Sequence, residues 1–582
     1  EMLRSLVGSE MCIRDRYNGI GASSGIGIGR VMIIKEQALS YAPTTDATPE
    51  QEIERYKRAL NKFVEHTMAK AEQMKSSVGE KEAEIIMGHA AMLQDPYMNS
   101  EIEKQMQSGS SAEKALETIC DMFITMFEST GDELTMQRAT DVKDIKKGML
   151  SVLLGIEEAD ISKAPKGTII VVDDLTPSMT TGIVKENIAG IITQTGGKTS
   201  HSAILARALE IPAVLSVAGV VEKLADGQQV IIDGSKGTVI DAPTEEQLKD
   251  YKEKRNKFLK EKEELKKYIG MATATADGRV VELVGNIGNP DNAKQVVECD
   301  GEGVGLFRTE FLFMDSDSMP TEEQQFEAYK KAALVLKDKP LIIRTLDIGG
   351  DKEIPYLGLK KEENPFLGFR AVRFCLENTQ LYKTQLRALL RASAFGNIKI
   401  MVPLVTCVDE IRAVKALVKE IMADLDSQGI AYNKEIQVGV MMETSASVMV
   451  ADLLAKEADF FSIGTNDLTQ YTMCVDRGNA DVAYLYSVYN PAVLRAIKHI
   501  IECGSKEGIM VGMCGEAAAD PLMIPLLVAF GLSEFSVSAT SVLATRKVIS
   551  MWTQQEAQQV AQRTMQLETE KEVEEYLRSV QK

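Results

Sequence analysis

The chain has 582 residues, with 66 Lys and Arg against 85 Asp and Glu, a net charge of −19 that argues against a nonspecific nucleic-acid binder, which needs a basic footprint. A composition 45% hydrophobic and 26% charged supports packed cores and excludes general disorder, and at about 150 residues per domain the length predicts three or four domains. The uncharged stretches reach only thirteen residues, as in 17–29, whereas a bilayer-spanning helix needs about twenty apolar ones, so no membrane insertion is expected.

Residues 1–16 carry no sustained period and read as a tail outside the fold. From 17 to 35 a Gly-rich turn runs into a strand, VMII. Four amphipathic helical stretches follow at 52–75, 80–94, 111–128 and 133–154, which predicts an inserted helical bundle over 36–155. From 167 the period changes to short β-branched runs (TIIVVDD, AGIIT, IPAVLSV, QQVIIDG, GTVID) around one helix, SHSAILARALE. These runs, with the strand near 30–35, predict an α/β domain assembled from 17–35 and 156–242. The densely charged 243–270, with a narrow stripe of Leu248, Tyr251, Phe258, Leu259 and Leu265, predicts a linker helix.

From 271 to 582, eight strand-like runs begin near 280, 303, 340, 398, 436, 459, 509 and 534 and alternate with helical patterns. That is the arithmetic of a (β/α)8 TIM barrel, so the fold class is a multidomain α/β protein. The chemistry of such a barrel lies where its strands end. The residues there are Asn286, Arg308, Glu310, Arg344, Asp347, Glu443, Asn466, Asp467, Cys514 and Glu516, a set suited to an anionic substrate with a hard cation.

Two nucleotide-binding patterns are decoys. GASSGIG at 21–27 copies a dinucleotide fingerprint, but a strand pattern rather than a helix follows it. Gly197-Lys198-Thr199 resembles the end of a P-loop, yet the first glycine of that motif would fall on Ile192. The chain has only four histidines, His66, His89, His201 and His499, too few for a His-based metal cluster. Its eight scattered cysteines show no framework spacing and read as reduced thiols in a cytoplasm.

TGGKTSHSAILARALEIPAV (195–214) is the most informative segment. Its glycines allow a tight turn, Thr199 or Ser200 can cap the helix, and His201 falls in the first helical turn. A helix N-terminus disfavours imidazolium and offers free N–H groups to an anion, so it suits a nucleophilic His and a phosphate bound to it. In the barrel, Arg308 and Arg344 lie in strand runs, where an unpaired guanidinium is costly unless a phosphate or carboxylate ligand compensates it. Glu443 and Asp467 end successive strands and read either as a Mg²⁺ site or as buried acids paired with arginines. Taken alone, Cys514 reads as a small buried apolar residue.

GGKTSHSAILAR closely resembles the phosphohistidine signature of enzymes that use phosphoenolpyruvate (PEP), and DFFSIGTNDLTQYTMCVDRGN (459–479) resembles their barrel signature. GVGLFRTEFLFMD, IRTLDIGGDKE, ENPFLGFRAVR, GVMMETSAS and GMCGEAA match in the same order. Within that group the chain resembles the enzyme I family of the bacterial sugar phosphotransferase system. EIIMGHAAMLQDP and QRATDVKDI resemble the segments by which that family docks the phosphocarrier protein HPr. The resemblance implies that His201 accepts the phosphoryl group and that Arg308, Arg344, Arg370, Asn466, Asp467 and Arg477 bind PEP. It further implies that Glu443 and Asp467 hold Mg²⁺, that Cys514 protonates C3 of the enolate to give pyruvate, and that a homodimer forms through the C-terminal barrel. It also implies a swivel of the phosphohistidine domain between PEP and HPr. The family often has Pro where Ser445 stands, YSVYNP (486–491) is loosely matched, and residues 1–16 match nothing in it. Pyruvate–phosphate dikinases and PEP synthases share both signatures but need a separate ATP-binding domain. A non-catalytic regulator on this fold is expected to have lost His201, an arginine or a metal carboxylate, and all are present.

Overall fold

The computed structural model describes residues 16–34, 40–77, 87–88, 90–128, 133–156, 161, 164–175, 179, 183–197, 200–314, 316, 318–349, 354–360, 362–479 and 481–582. The chain divides into two compact units, Glu1–Lys262 and Glu263–Lys582, and the boundary falls within one helix, Glu245–Leu265.

The first unit is built on eight strands: β1 (Arg16–Asn18), β2 (Ile20–Ser23), β3 (Ile26–Ile34), β4 (Thr168–Val172), β5 (Ile188–Thr193), β6 (Ala213–Leu215), β7 (Gln229–Asp233) and β8 (Thr238–Asp241). They form one mixed sheet in the order β1-β8-β7-β3-β4-β5-β6-β2. β3 pairs in parallel with β4, Arg30 opposite Thr168, so everything between them is inserted between neighbouring strands. Two apolar cores result, one around Ile170, Ile191 and Leu205 and the other around Val171, Ile192 and Val230. A third cluster, of Ile231, Ile240 and Tyr251, seats the start of the charged helix Glu245–Leu265 on the sheet. The stripe expected along that helix narrows as the helix proceeds, with Phe258 and Leu259 already exposed.

The Gly-rich stretch is mostly strand, with a bend at Ser24 and Gly25, where φ of Gly25 is 123°. In β3 a side chain at Gly27 would meet the Ala189 carbonyl oxygen at 2.3 Å, and one at Gly29 the Gly167 oxygen at 2.1 Å. Close backbone approach selects these glycines, which disposes of the dinucleotide motif physically: GASSGIG opens no helix. Arg16, assigned to the tail from sequence, is the first residue of β1 and stands opposite Ile240. The rest of that tail lies outside the described residues.

The insertion holds helices Pro49–Ser77, Pro96–Gln107, Ala112–Glu128 and Glu133–Leu154 around a core that includes Tyr56, Leu93, Ile102, Leu116 and Met149. Much of the stretch expected at 80–94 lies outside the described residues. Pro96–Gln107 is absent from the sequence expectation. Its signal was local: Asp95 accepts from the Met98 amide as N-cap, and Pro96 opens the helix.

The second unit is the expected barrel. β9 (Glu282–Ile287), β10 (Val304–Arg308), β11 (Pro340–Arg344), β12 (Asn397–Val402), β13 (Val438–Met442), β14 (Phe460–Ile463), β15 (Met510–Met513) and β16 (Glu534–Ser538) close into a ring, with β16 parallel to β9. Alternate residues face opposite ways. Ile343, Ile400, Val440, Phe461, Met513 and Phe535 join the core between strands and helices. Leu306, Ile342, Met401, Met441, Phe460 and Cys514 form a separate core inside the ring. The inward stripe therefore ends, at the C-terminal mouth, on the residues that carry the site.

Candidate functional site

In the first unit the helix His201–Ala208 begins where the sequence predicts. Ser200 is its N-cap, accepting from the Ala203 amide at 3.3 Å, and His201 is its first helical residue. The following Ser202 is fully buried and donates to Asp174 Oδ1 at 3.0 Å, which pins the helix start to the loop after β4. Lys198, Thr199 and the side chain of His201 lie outside what the structure describes.

In the second unit the mouth of the barrel gathers charge. Arg344 ends β11 and stands opposite Arg308 in the β10–β11 register. The two differ in environment. Arg308 is exposed, its guanidinium 5.9 Å from the Phe311 ring centroid, whereas Arg344 is buried. Arg344 is not the unpaired guanidinium that its place in a strand run implies. It reaches Glu310 at 2.5 Å and Asp347 at 3.0 Å. Burial depresses its pKa, but Glu310 and Asp347 outweigh burial and the net shift is upward. Arg370, also buried, reaches Asp347 at 2.7 Å and Asp467 at 3.5 Å, and Arg477 completes the row with Asp467 at 3.3 Å.

Asp467 stands in the first turn of the helix Thr465–Met473, just past β14 rather than at the strand end itself. Glu443 follows β13, is buried, and accepts from the Leu404 amide at 2.7 Å. Burial first, then the charges of Asp467 and Asp347, raise the Glu443 carboxyl to about 8. Asn466 accepts from the Glu516 amide at 3.3 Å through its side chain and from the Tyr486 hydroxyl at 3.0 Å through its carbonyl. Cys514 follows β15, buried, its thiol raised to about 11 chiefly by burial.

The structure thus links Arg344 to Arg370 through Asp347 and Arg370 to Arg477 through Asp467, with Glu310 on Arg344. These acids belong to the strand-end set, but nothing in the sequence showed that Asp347 and Asp467 bridge the arginines. Tyr471 was not foreseen at all. Its hydroxyl accepts from Arg370 at 3.3 Å and donates to the Phe366 carbonyl. From sequence, a Tyr inside a helix reads as core.

Three models of PEP-utilising enzymes match the chain: the N-terminal domain over 18–138, the mobile domain over 164–237 and the PEP-binding domain over 262–554. The chain is 45% identical over 556 residues to a phosphoenolpyruvate-protein phosphotransferase of Bacillus subtilis, covering 95% of this chain and 98% of that one. The chain belongs to the PEP-protein phosphotransferase family. Another member of the family, from Geobacillus stearothermophilus, is 46% identical over 563 residues, covering 96% and 97% of the two chains. Among solved structures, the solution structure of an Enzyme I protein is 31% identical, covering 42% of this chain and 99% of its own, with a TM-score of 0.38.

PEP-protein phosphotransferase chemistry raises the question of a metal. Among the described residues no group of three or more His, Cys, Asp and Glu is placed to hold one. Two carboxylates are present instead, Glu443 and Asp467, and the buried Asp467 Oδ1, ion-paired with Arg477 at 3.3 Å, makes no hydrogen bond to a described residue. In this mouth Glu310, Asp347, Glu443 and Asp467 face three guanidinium groups, those of Arg344, Arg370 and Arg477, and burial with the neighbouring acids favours the neutral form of Glu443. An all-oxygen pair, one of whose acids a cation would deprotonate on binding, fits a hard divalent cation completed by substrate oxygens. Among the described residues no helix is long and apolar enough to cross a membrane.

Proposed function

We propose that the chain transfers the phosphoryl group of PEP to its own His201 and then to a histidine of HPr, releasing pyruvate, as the first step of sugar uptake in a cytoplasmic phosphotransferase system. The observation that carries this reading is the 45% identity to a PEP-protein phosphotransferase along 95% of the chain. Arg308, Arg344, Arg370 and Arg477, with Asn466, hold the phosphate and carboxylate of PEP and neutralise charge as phosphorus moves. Glu443 and Asp467 would hold a Mg²⁺, which would add neutralisation of the phosphoryl oxygens. A ring nitrogen of His201 attacks phosphorus, and free N–H groups at the Ser200-capped helix start favour the phosphate it then carries. The thiol of Cys514 gives its proton to C3 of the enolate. Nucleophile and PEP site belong to different units, so the cycle requires the phosphohistidine domain to serve both PEP and HPr.

The helical insertion supports HPr as the acceptor. A groove of about 720 Å³ is lined by Met92 and Asp95 from one segment that resembles a docking sequence, by Arg138 and Asp141 from the other, and by Phe123 and Phe127 from the helix Ala112–Glu128. An apolar floor with a charged rim suits a protein partner. Homodimerisation through the barrel is part of the same proposal, supported by exposed Met449, Leu453 and Tyr484 on that unit.

The test is labelling with ³²P-PEP and Mg²⁺. Acid-labile label is expected on the chain, absent in His201→Ala, and chased onto HPr. A wild-type chain that takes no label, or takes it from ATP without PEP, overturns the function. Label that survives His201→Ala overturns the residue alone.

A further inference from the structure

The barrel holds a second polar cluster, one layer beneath the mouth. Strands β14, β15 and β16 lie side by side, and their registers place Ser462 opposite Gly512 and Gly512 opposite Glu534. Ser462 and Glu534 lie on the inward stripe, offset by one residue from Phe461, Ile463 and Phe535 in the outer core. Glu534 leans into the room left by Gly512, where a Cβ would meet its Oε1 at 2.5 Å. The next inward residue along β15 is Cys514.

Ser462 and Glu534 are fully buried. Among the described residues neither carboxyl oxygen of Glu534 finds a hydrogen-bond partner, nor does the Ser462 hydroxyl. The hydroxyl lies close enough to Cys514 to favour its thiolate, but without full hydrogen-bond geometry. Three buried polar atoms with unmet hydrogen-bonding capacity, grouped around an absent side chain, are what an ordered interior water needs as partners. The charged groups facing Glu534 from neighbouring elements are Glu282, opposite it on β9, and Lys399 on β12, whose Nζ lies 5.8 Å from the Phe460 ring. Glu282 is exposed and Lys399 half-buried, so the lower end of the ring reaches solvent.

We propose that Glu534 returns protons to Cys514 through Ser462 and an interior water, so that the proton consumed at the mouth enters the barrel from its opposite end. This inference rests on the reading of Cys514 as the proton donor. When C3 of the enolate takes the thiol proton, the S–H bond breaks and its electron pair stays on sulfur. The Glu534 O–H proton passes along the water and hydroxyl to the thiolate, leaving a carboxylate. Solvent at the lower end reprotonates that carboxylate. Burial, reinforced by Glu282 and opposed by Lys399, raises Glu534 to about 8, while burial raises Cys514 to about 11, so transfer from acid to thiolate runs downhill. With the mouth occupied by substrate, the lower route leaves the donor rechargeable.

The experiment uses the full chain with Mg²⁺ and PEP and follows two isotopes at equilibrium. Carbon exchange between [¹⁴C]pyruvate and PEP reports the whole reversible reaction. Loss of tritium from [3-³H]pyruvate to water reports escape of the proton from Cys514. In Glu534→Gln the ratio of tritium loss to carbon exchange is expected to fall by about tenfold or more, because the same proton shuttles between C3 and sulfur. Ser462→Ala is expected to lower the same ratio and decides alone if Glu534→Gln does not fold. An unchanged ratio, or a parallel fall in both rates, overturns the relay. Absence of carbon exchange in the wild type overturns the phosphotransfer reading instead, and an unchanged ratio in Cys514→Ala overturns the donor on which the relay depends.

Discussion

Arg344 donates to Glu310 at 2.5 Å, and both side chains are buried at the barrel mouth. Removing one partner of a buried pair leaves an uncompensated charge. Glu310→Ala is therefore expected to destabilise the barrel by about 3 kcal/mol, since Arg344 keeps only Asp347. Trp552 is the only tryptophan in the chain and is buried in this unit, so denaturant unfolding followed by its fluorescence reads the barrel alone. An unchanged midpoint refutes the prediction.

Glu443 carries a pH signature. Its folded pKa, about 8, lies above the 4.5 of a free glutamate, so the neutral form is the one the fold favours. Its contribution to stability is complete below pH 4.5 and is lost as pH rises through 8. Glu534 has the same sign and the same window. Barrel stability should decline across that interval, and Glu443→Gln with Glu534→Gln should flatten the decline. Mg²⁺ binding at neutral pH should release close to one proton, read by calorimetry in buffers of different ionisation enthalpy, and Glu443→Gln should abolish the release.

Arg370→Lys tests the mouth as a substrate site. The guanidinium spans Asp347 and Asp467 and donates to Tyr471, a planar arrangement that an ammonium group cannot reproduce. kcat/KM for PEP is expected to fall by about 10³, measured as the initial rate of pyruvate formation. A fall below about tenfold sets Arg370 outside the substrate contacts.

Ser200→Ala removes the cap of the helix that carries His201. The expected cost is about 1 kcal/mol, confined to that helix. Amide hydrogen exchange of Ser202–Leu205 should quicken about fivefold while the barrel's amides are unchanged. Equal protection in both proteins shows that the cap is dispensable.

Gly29→Ala drives a methyl group to 2.1 Å from the Gly167 oxygen, and neither backbone can yield without breaking the β3–β4 ladder. The first unit should lose about 3 kcal/mol, seen as a lowered midpoint in circular dichroism with the Trp552 transition unmoved. An equal substitution at Gly88, whose added carbon meets no described residue within 4 Å, serves as the control.

How much of this was legible in the sequence depended on whether chemistry followed period. The eight barrel strands were, because each β-branched run is punctuated by Gly, Pro or Asp. The start of the helix at His201 was, because Ser200 sits where a cap must sit. The arginines were found by their position at strand ends, but their partners were not. Which acid faces which guanidinium depends on loops that bring Asp347, Arg370 and Asp467 together from three places in the chain. The layer of Ser462 and Glu534 was invisible for another reason. In a closed barrel both faces of a strand are buried, so the polar members of FFSIG and EFSVS break no alternation that a reader expects. The glycines of β3 misled because a strand pressed against neighbouring backbone and a loop that turns freely use the same residue.

The closure of β16 onto β9 also constrains how the molecule is made. The first and last strands of the ring are direct neighbours, Glu534 beside Glu282, although nearly the whole second unit separates them in the chain. During synthesis β9 must wait, one edge unpaired, until β16 has left the ribosome. Over the same interval the first unit already has its full sequence and can fold. Aggregation of nascent chains is then a hazard of the barrel's open edge, and a truncation that removes β16 should expose that edge permanently.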